Sequence, residues 1–147
     1  MAAIRSAAVV WEGDLFAGRG HVTASTSGIL REQPVTWASR TEAPYDRTSP
    51  EELLAAAHAT CFSMALAHAL GEQKKTPTRL EVTAMVTFDR VGEGWKVTSS
   101  ALEVRGTVPG LDADTFQRAA EGAKDGCPIS QALKGNVQLS VKATLVG

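Results

Sequence analysis

Two cysteines make up the whole thiol complement of this 147-residue chain, and each sits where a sulfur could react. Cys61 lies in the middle of SPEELLAAAHATCFSMALAHAL, and Cys127 in GCPIS. The thiolate is the reactive form of cysteine, and a helix start stabilises it through unpaired backbone N–H groups. GCPIS reads as such a start, with Pro128 near the first helical position. For Cys61 the plainer reading is packing, because free cysteine is among the most buried residue types. Reversible pairing with Cys127 would explain why the chain has two cysteines and why both lie in helices, provided their Cα atoms come within about 7 Å. His58, three residues before Cys61, leaves open a Cys–His dyad for acyl transfer or a zinc site shared with Cys127. Zinc lacks a fourth ligand at any recognisable spacing, and acyl transfer lacks an oxyanion hole. A histidine hydrogen-bonded within the core is the simpler expectation.

Charged groups supply the second half of a thiol site. Glu51 precedes Cys61 by ten residues, about 15 Å along a straight helix, so the two cannot touch within it. A partner subunit, a kink or a long bridging side chain would be required. Arg40, at the end of TWASR, is the bridge candidate: its guanidinium could pair with Glu51 and stabilise a nearby thiolate. Taken alone, it also reads as an ordinary strand-end arginine.

The elements that must position these groups are legible from pattern. AAVVWEG, GHVTAS and PVTWASR read as three short strands, and APYDRTSP as a polar loop. Ser49-Pro50-Glu51-Glu52 is a helix start with a capping serine, proline at the first position and two carboxylates at the positive end. Leu80, Val82, Ala84, Val86 and Phe88 alternate with polar residues as a half-buried strand, and a return strand changes phase near SSA, the mark of a bulge or bend. Asp112 caps a helix whose stripe is Phe116, Ala119, Ala120 and Ala123. GCPISQALKGN forms a last short helix, and Val137 to Leu145 a last strand. The order βββ-α-ββ-α-α-β, without a βαβ repeat, predicts an α+β fold with largely antiparallel sheet, in one domain over residues 1–147.

Composition excludes several functions. A formal charge of -1, with 15 basic and 16 acidic residues, argues against a nucleic-acid surface, which needs clustered cations. Arg5 and Glu12 break the N-terminal apolar patch, so the expected location is the cytoplasm. The stretch from Leu53 to Leu70 is long enough to invite a membrane-spanning reading, but it is alanine-rich and lies between strands patterned for a water-surrounded core. A helix apolar on every side must be covered on every side. Seven alanines permit close approach of a symmetry mate, so a homodimer is predicted.

WEGD, SGIL, ASRTE, TSPEELLAAAHATCFSMAL and GCPISQAL together resemble the family of osmotically inducible protein C and the organic hydroperoxide resistance proteins, and WEGD and SRTE are more similar to its osmotically inducible branch. The resemblance implies sheets wrapped around long central helices in an intertwined homodimer, and a thiol peroxidase of oxidative and osmotic stress defence acting on organic hydroperoxides. It implies Cys61 as the peroxidatic cysteine, Cys127 as the resolving cysteine that forms a disulfide with it, Arg40 as the activating arginine and Glu51 as the carboxylate that orients it. Arg19, near the position used by the other branch, stands in reserve. The implied reductant is an external dithiol of lipoyl type, with no bound cofactor and no metal. Phe62, Leu54 and Met64 are expected to wall a pocket for an alkyl tail. The alternatives are a non-enzymatic stress-binding or zinc-binding module using His58, Cys61 and Cys127, and a Cys61 hydrolase.

Overall fold

Short runs rich in valine, threonine and alanine, separated by glycine turns, open the chain as strands. The structure is a computed structural model that describes every residue from Met1 to Gly147. It comprises two compact units, Met1–Leu53 and Leu54–Gly147.

In the first unit β1 (Ala7–Glu12), β2 (Arg19–Ser25) and β3 (Gln33–Val35) form an antiparallel sheet in that order. Trp11 pairs with Gly20 across β1 and β2. A Cβ at Gly20 would stand 2.6 Å from the Trp11 ring, so glycine is what lets the indole lie flat across the neighbouring strand.

One expectation fails here. The chain leaves β3 at Val35 and turns into α1 (Trp37–Thr41) instead of continuing as a strand through TWASR. The cause is local: Thr36 Oγ1 accepts from the Ser39 N–H and Ser39 Oγ accepts from the Thr36 N–H, each at 3.0 Å. That reciprocal capping box satisfies N–H groups which a continuing strand would have had to pair elsewhere. The segment 42–49 then folds back on β3. Tyr45 and Asp46 both take left-handed backbone (φ 45° and 64°), and the Thr48 N–H donates to the Pro34 carbonyl at 2.9 Å.

Ser49 starts α2 (Pro50–Glu72) as expected, its hydroxyl accepting from the Glu52 N–H at 3.1 Å. The first turn of α2 belongs to the first unit and the remainder to the second.

The second unit holds β4 (Arg79–Val91), β5 (Gly94–Thr107), α3 (Ala113–Gly126), α4 (Pro128–Leu133) and β6 (Gln138–Leu145). β4 and β5 are antiparallel, whereas β6 pairs parallel to β5 after the α3–α4 crossover. The predicted bulge is present: Thr87 faces Ser99 and Phe88 faces Val97, leaving Thr98 as the extra residue. Phe62, Leu66 and Leu70 of α2 pack with Leu102 and Val104 of β5, Phe116, Ala120 and Ala123 of α3, and Cys127. Burying each of the larger side chains contributes about 1.5–3 kcal/mol. The opposite stripe of α2, including Ala56, Thr60, Met64 and His68, is exposed. α2 is long and apolar enough to cross a membrane by length and composition, yet only 22% of that apolar window is buried within the chain.

Candidate active site

Arg40 occupies the last turn of α1 and Glu51 the first turn of α2. The loop between them is drawn tight by Ser39 Oγ, which reaches the Thr48 carbonyl at 2.9 Å. Arg40 Nε therefore meets both Glu51 oxygens, at 2.6 Å and 3.1 Å. The Glu51 side chain is 9% exposed and that of Arg40 30%, so the carboxylate is held away from water and the cation is fixed by a charge-assisted bond rather than by chance proximity. The guanidinium carbon also lies 5.8 Å from the Trp37 ring centroid, within cation–π range. Arg40 and Trp37 border a cavity of about 580 Å³ walled mainly by apolar side chains, among them Val9, Trp11, Leu15 and Leu53. Arg19, by contrast, is exposed on β2 opposite Glu12.

Within the second unit the structure brings the two cysteines together. Both are free thiols, Cys61 half-buried on α2 and Cys127 buried as the residue that caps α4. Their side chains are hydrogen-bonded to each other. Burial pushes the Cys61 thiol up, and its bond to Cys127 adds to this, while the Ile129 N–H acts the other way. Burial alone would also raise Cys127, but the bond from Cys61, the Ser130 N–H and hydroxyl, and the Ile129 N–H together hold it below the ordinary thiol value. The Ser130 N–H stands 3.5 Å from Cys127 Sγ. The negative charge of the pair is therefore favoured on Cys127 over Cys61. Access favours the other sulfur, because Cys127 is 0% exposed and a dissolved oxidant reaches Cys61 first.

His58 is completely buried. Ser100 Oγ lies 2.6 Å from its Nδ1 and Ser130 Oγ 2.8 Å from its Nε2. Burial lowers its pKa, so the ring is neutral. With both nitrogens engaged it has no lone pair to offer a metal, and no group of three or more His, Cys, Asp or Glu side chains is placed to hold one. The expectation of a hydrogen-bonded core histidine matches this geometry.

A family model described as "OsmC-like protein" matches residues 43–142. The chain belongs to the OsmC family. This OsmC-like chain is 47% identical over 129 residues to the peroxiredoxin OsmC of Escherichia coli, covering 88% of this chain and 89% of that protein. It is 30% identical over 124 residues to the organic hydroperoxide resistance protein OhrB of Bacillus subtilis, covering 84% and 88% of the two chains. The crystal structure of OhrB superposes with a TM-score of 0.71 at 28% identity, over 95% of this chain and 98% of that one. The higher identity lies with OsmC, the branch to which WEGD and SRTE pointed.

Some of these surroundings escaped sequence reading. Phe62 is not a pocket wall but a fully buried member of the core, and Met64 is 69% exposed; the apolar cavity beside Arg40 is built instead from β1, β2, β3, α1 and the start of α2. Ser100 and Ser130 were missed as well. The available signal was that a histidine inside an apolar helix must find two polar partners, although nothing in the sequence says which.

Proposed function

We propose that this OsmC-like protein is a two-cysteine peroxidase that reduces organic hydroperoxides to alcohols. The observation that carries the reading is the hydrogen-bonded thiol pair, with Cys61 open to an oxidant and Cys127 buried against it. Family membership and the names of its relatives support it.

The Cys61 sulfur, as thiolate, attacks the peroxide O–O bond; its proton passes along the shared hydrogen bond to Cys127. The distal oxygen transfers to sulfur as a sulfenic acid, and the alkoxide leaves as the alcohol on taking the proton held by Cys127, which is left a thiolate. Arg40, oriented by Glu51, is assigned the charge that develops on the peroxide oxygen. Cys127 then condenses with Cys61 to a disulfide, which an external dithiol of lipoyl type reduces by exchange. The apolar cavity beside Arg40 suits an alkyl tail, and burying each methylene contributes about 0.8 kcal/mol. That is enough to prefer alkyl over hydrogen peroxide.

The exposed α2 stripe and the exposed Val9 and Val10 of β1 support a homodimer in which a second copy covers them. Sedimentation equilibrium is expected to give twice the mass of one chain at micromolar concentration; a monomer would sink the dimer.

The deciding experiment for the activity mixes the reduced protein with one equivalent of cumene hydroperoxide, follows free thiols by stopped flow and maps the product by non-reducing mass spectrometry. A Cys61–Cys127 link within one chain, formed in seconds, is expected. Thiols that persist would refute the peroxidase reading. The zinc-binding alternative predicts stoichiometric zinc in the purified protein, but the engagement of both His58 nitrogens does not favour it.

A further inference from the structure

Ser100, His58 and Ser130 form a buried polar chain that ends at a reacting sulfur. The three residues are 0%, 0% and 1% exposed, and come from β5, α2 and α4. A neutral imidazole has one N–H to donate and one lone pair to accept with. Ser130 meets Cys127 through its N–H, 3.5 Å from Sγ, and its hydroxyl, by lowering the pKa of that thiol, acts on the sulfur as a donor; a hydroxyl has a single hydrogen. Ser130 Oγ must therefore accept from His58 across the 2.8 Å contact, which places the imidazole proton on Nε2. Nδ1 is left to accept from the Ser100 hydroxyl at 2.6 Å. Every donor in the chain then points the same way, toward the sulfur of Cys127, where the Ser130 N–H arrives as well at 3.5 Å.

We propose that His58 is a positioning residue for the second step of the reaction: with Ser100 and Ser130 it forms a one-way hydrogen-bond chain that aims a hydroxyl at Cys127 and keeps that sulfur ready to resolve oxidised Cys61. The proposal rests on the reading of Cys61 and Cys127 as the two reacting thiols. In that step Cys127 thiolate attacks the sulfur of Cys61 sulfenic acid. The S–S bond forms, the S–O bond breaks, and hydroxide leaves and becomes water on taking a proton from solvent. Cys127 is oxidised and Cys61 reduced to the disulfide level, with no further reagent. A buried apolar side chain could fill the volume of the imidazole, but it would leave the Ser130 hydroxyl free to turn away. Hydrogen bonds in a buried chain polarise one another, so the direction set at His58 is felt at the sulfur.

The test separates the two steps in the full-length protein. After mixing with one equivalent of cumene hydroperoxide, thiol loss reports the first step and quenched disulfide the second. In Ser130→Ala and His58→Ala the ratio of second to first rate should fall about ten-fold, the scale of one hydrogen bond to a charged atom, with sulfenic Cys61 accumulating. His58→Gln, whose amide both donates and accepts, should recover part of the loss. Nitrogen NMR of the reduced protein should show the Nε2–H tautomer at His58. An unchanged ratio in folded Ser130→Ala, or an Nδ1–H tautomer, overturns the proposal; Ser130→Ala removes one oxygen atom and decides the matter if His58→Ala fails to fold. Absence of thiol loss in the unsubstituted protein overturns the peroxidase reading itself, and the positioning role with it.

Discussion

Arg40 Nε bonds both carboxylate oxygens of Glu51, at 2.6 Å and 3.1 Å, across eleven residues of sequence that include the end of α1 and a left-handed turn at Tyr45 and Asp46. The anchor is mostly buried and the cation only partly so, so each partner has a different consequence when removed. Arg40→Ala should slow the first oxidation step about 100- to 1,000-fold, the scale of losing one preorganised charge at a developing anion. Glu51→Gln, which keeps the cation but loosens it, should cost about ten-fold. Stopped-flow thiol loss measures both, and an unchanged rate in Arg40→Ala would move the role to Arg19. Stability should fall in Arg40→Ala by more than the ~1 kcal/mol of an exposed pair and less than the ~3–5 kcal/mol of a fully buried one, read from the urea midpoint.

The two cysteines should fail differently. Cys61→Ser is expected to abolish hydroperoxide consumption. Cys127→Ser should complete one turnover and stop, with Cys61 passing from sulfenic to sulfinic acid as peroxide is added. Intact-mass spectrometry distinguishes these products, and sustained turnover by Cys127→Ser would remove Cys127 from the mechanism.

His58 makes stability depend on pH in a defined sense. Burial lowers its pKa from the ordinary 6.5, so below that value the unfolded chain binds a proton that the folded chain refuses. The stability this group contributes is complete above 6.5 and is lost as pH falls toward the folded value, at a limiting slope of about 1.4 kcal/mol per pH unit. Urea unfolding at a series of pH values should show that slope in the natural protein and its absence in His58→Gln. Parallel curves would mean that another group titrates.

Gly106 on β5 faces the ring of Phe116, which is 0% exposed. A Cβ there would stand 2.4 Å from Phe116 Cζ, a distance no packing tolerates. Gly106→Ala should therefore destabilise the second unit by about 1–3 kcal/mol through displacement of the ring. A lowered urea midpoint with an unchanged slope is the expected result.

Much of the architecture was written in short-range pattern. The alternation from Leu80 to Phe88 produced β4, Ser49 and Asp112 capped their helices, and the phase change near SSA marked the bulge at Thr98. TWASR reads as strand from the propensity of its threonine and tryptophan, yet the Thr36–Ser39 capping box, itself a local signal, turns it into α1. The parallel pairing of β6 with β5 was not legible, since alternation specifies a face and not a neighbour.

Residue types and spacing by themselves determined which atoms could react and which elements carry them: a thiol in an apolar helix, a second thiol before a proline-started helix, an arginine and a carboxylate flanking a loop. Those properties depend on chemistry within a few residues. Only the tertiary structure decided that the Cys61 and Cys127 side chains meet, that Glu51 rather than solvent holds Arg40, and that His58 bridges serines 42 and 72 residues away. Hydrogen bonds act over about 3 Å, and the partners a buried group finds at that range are set by how sheets and helices pack, not by their order along the chain.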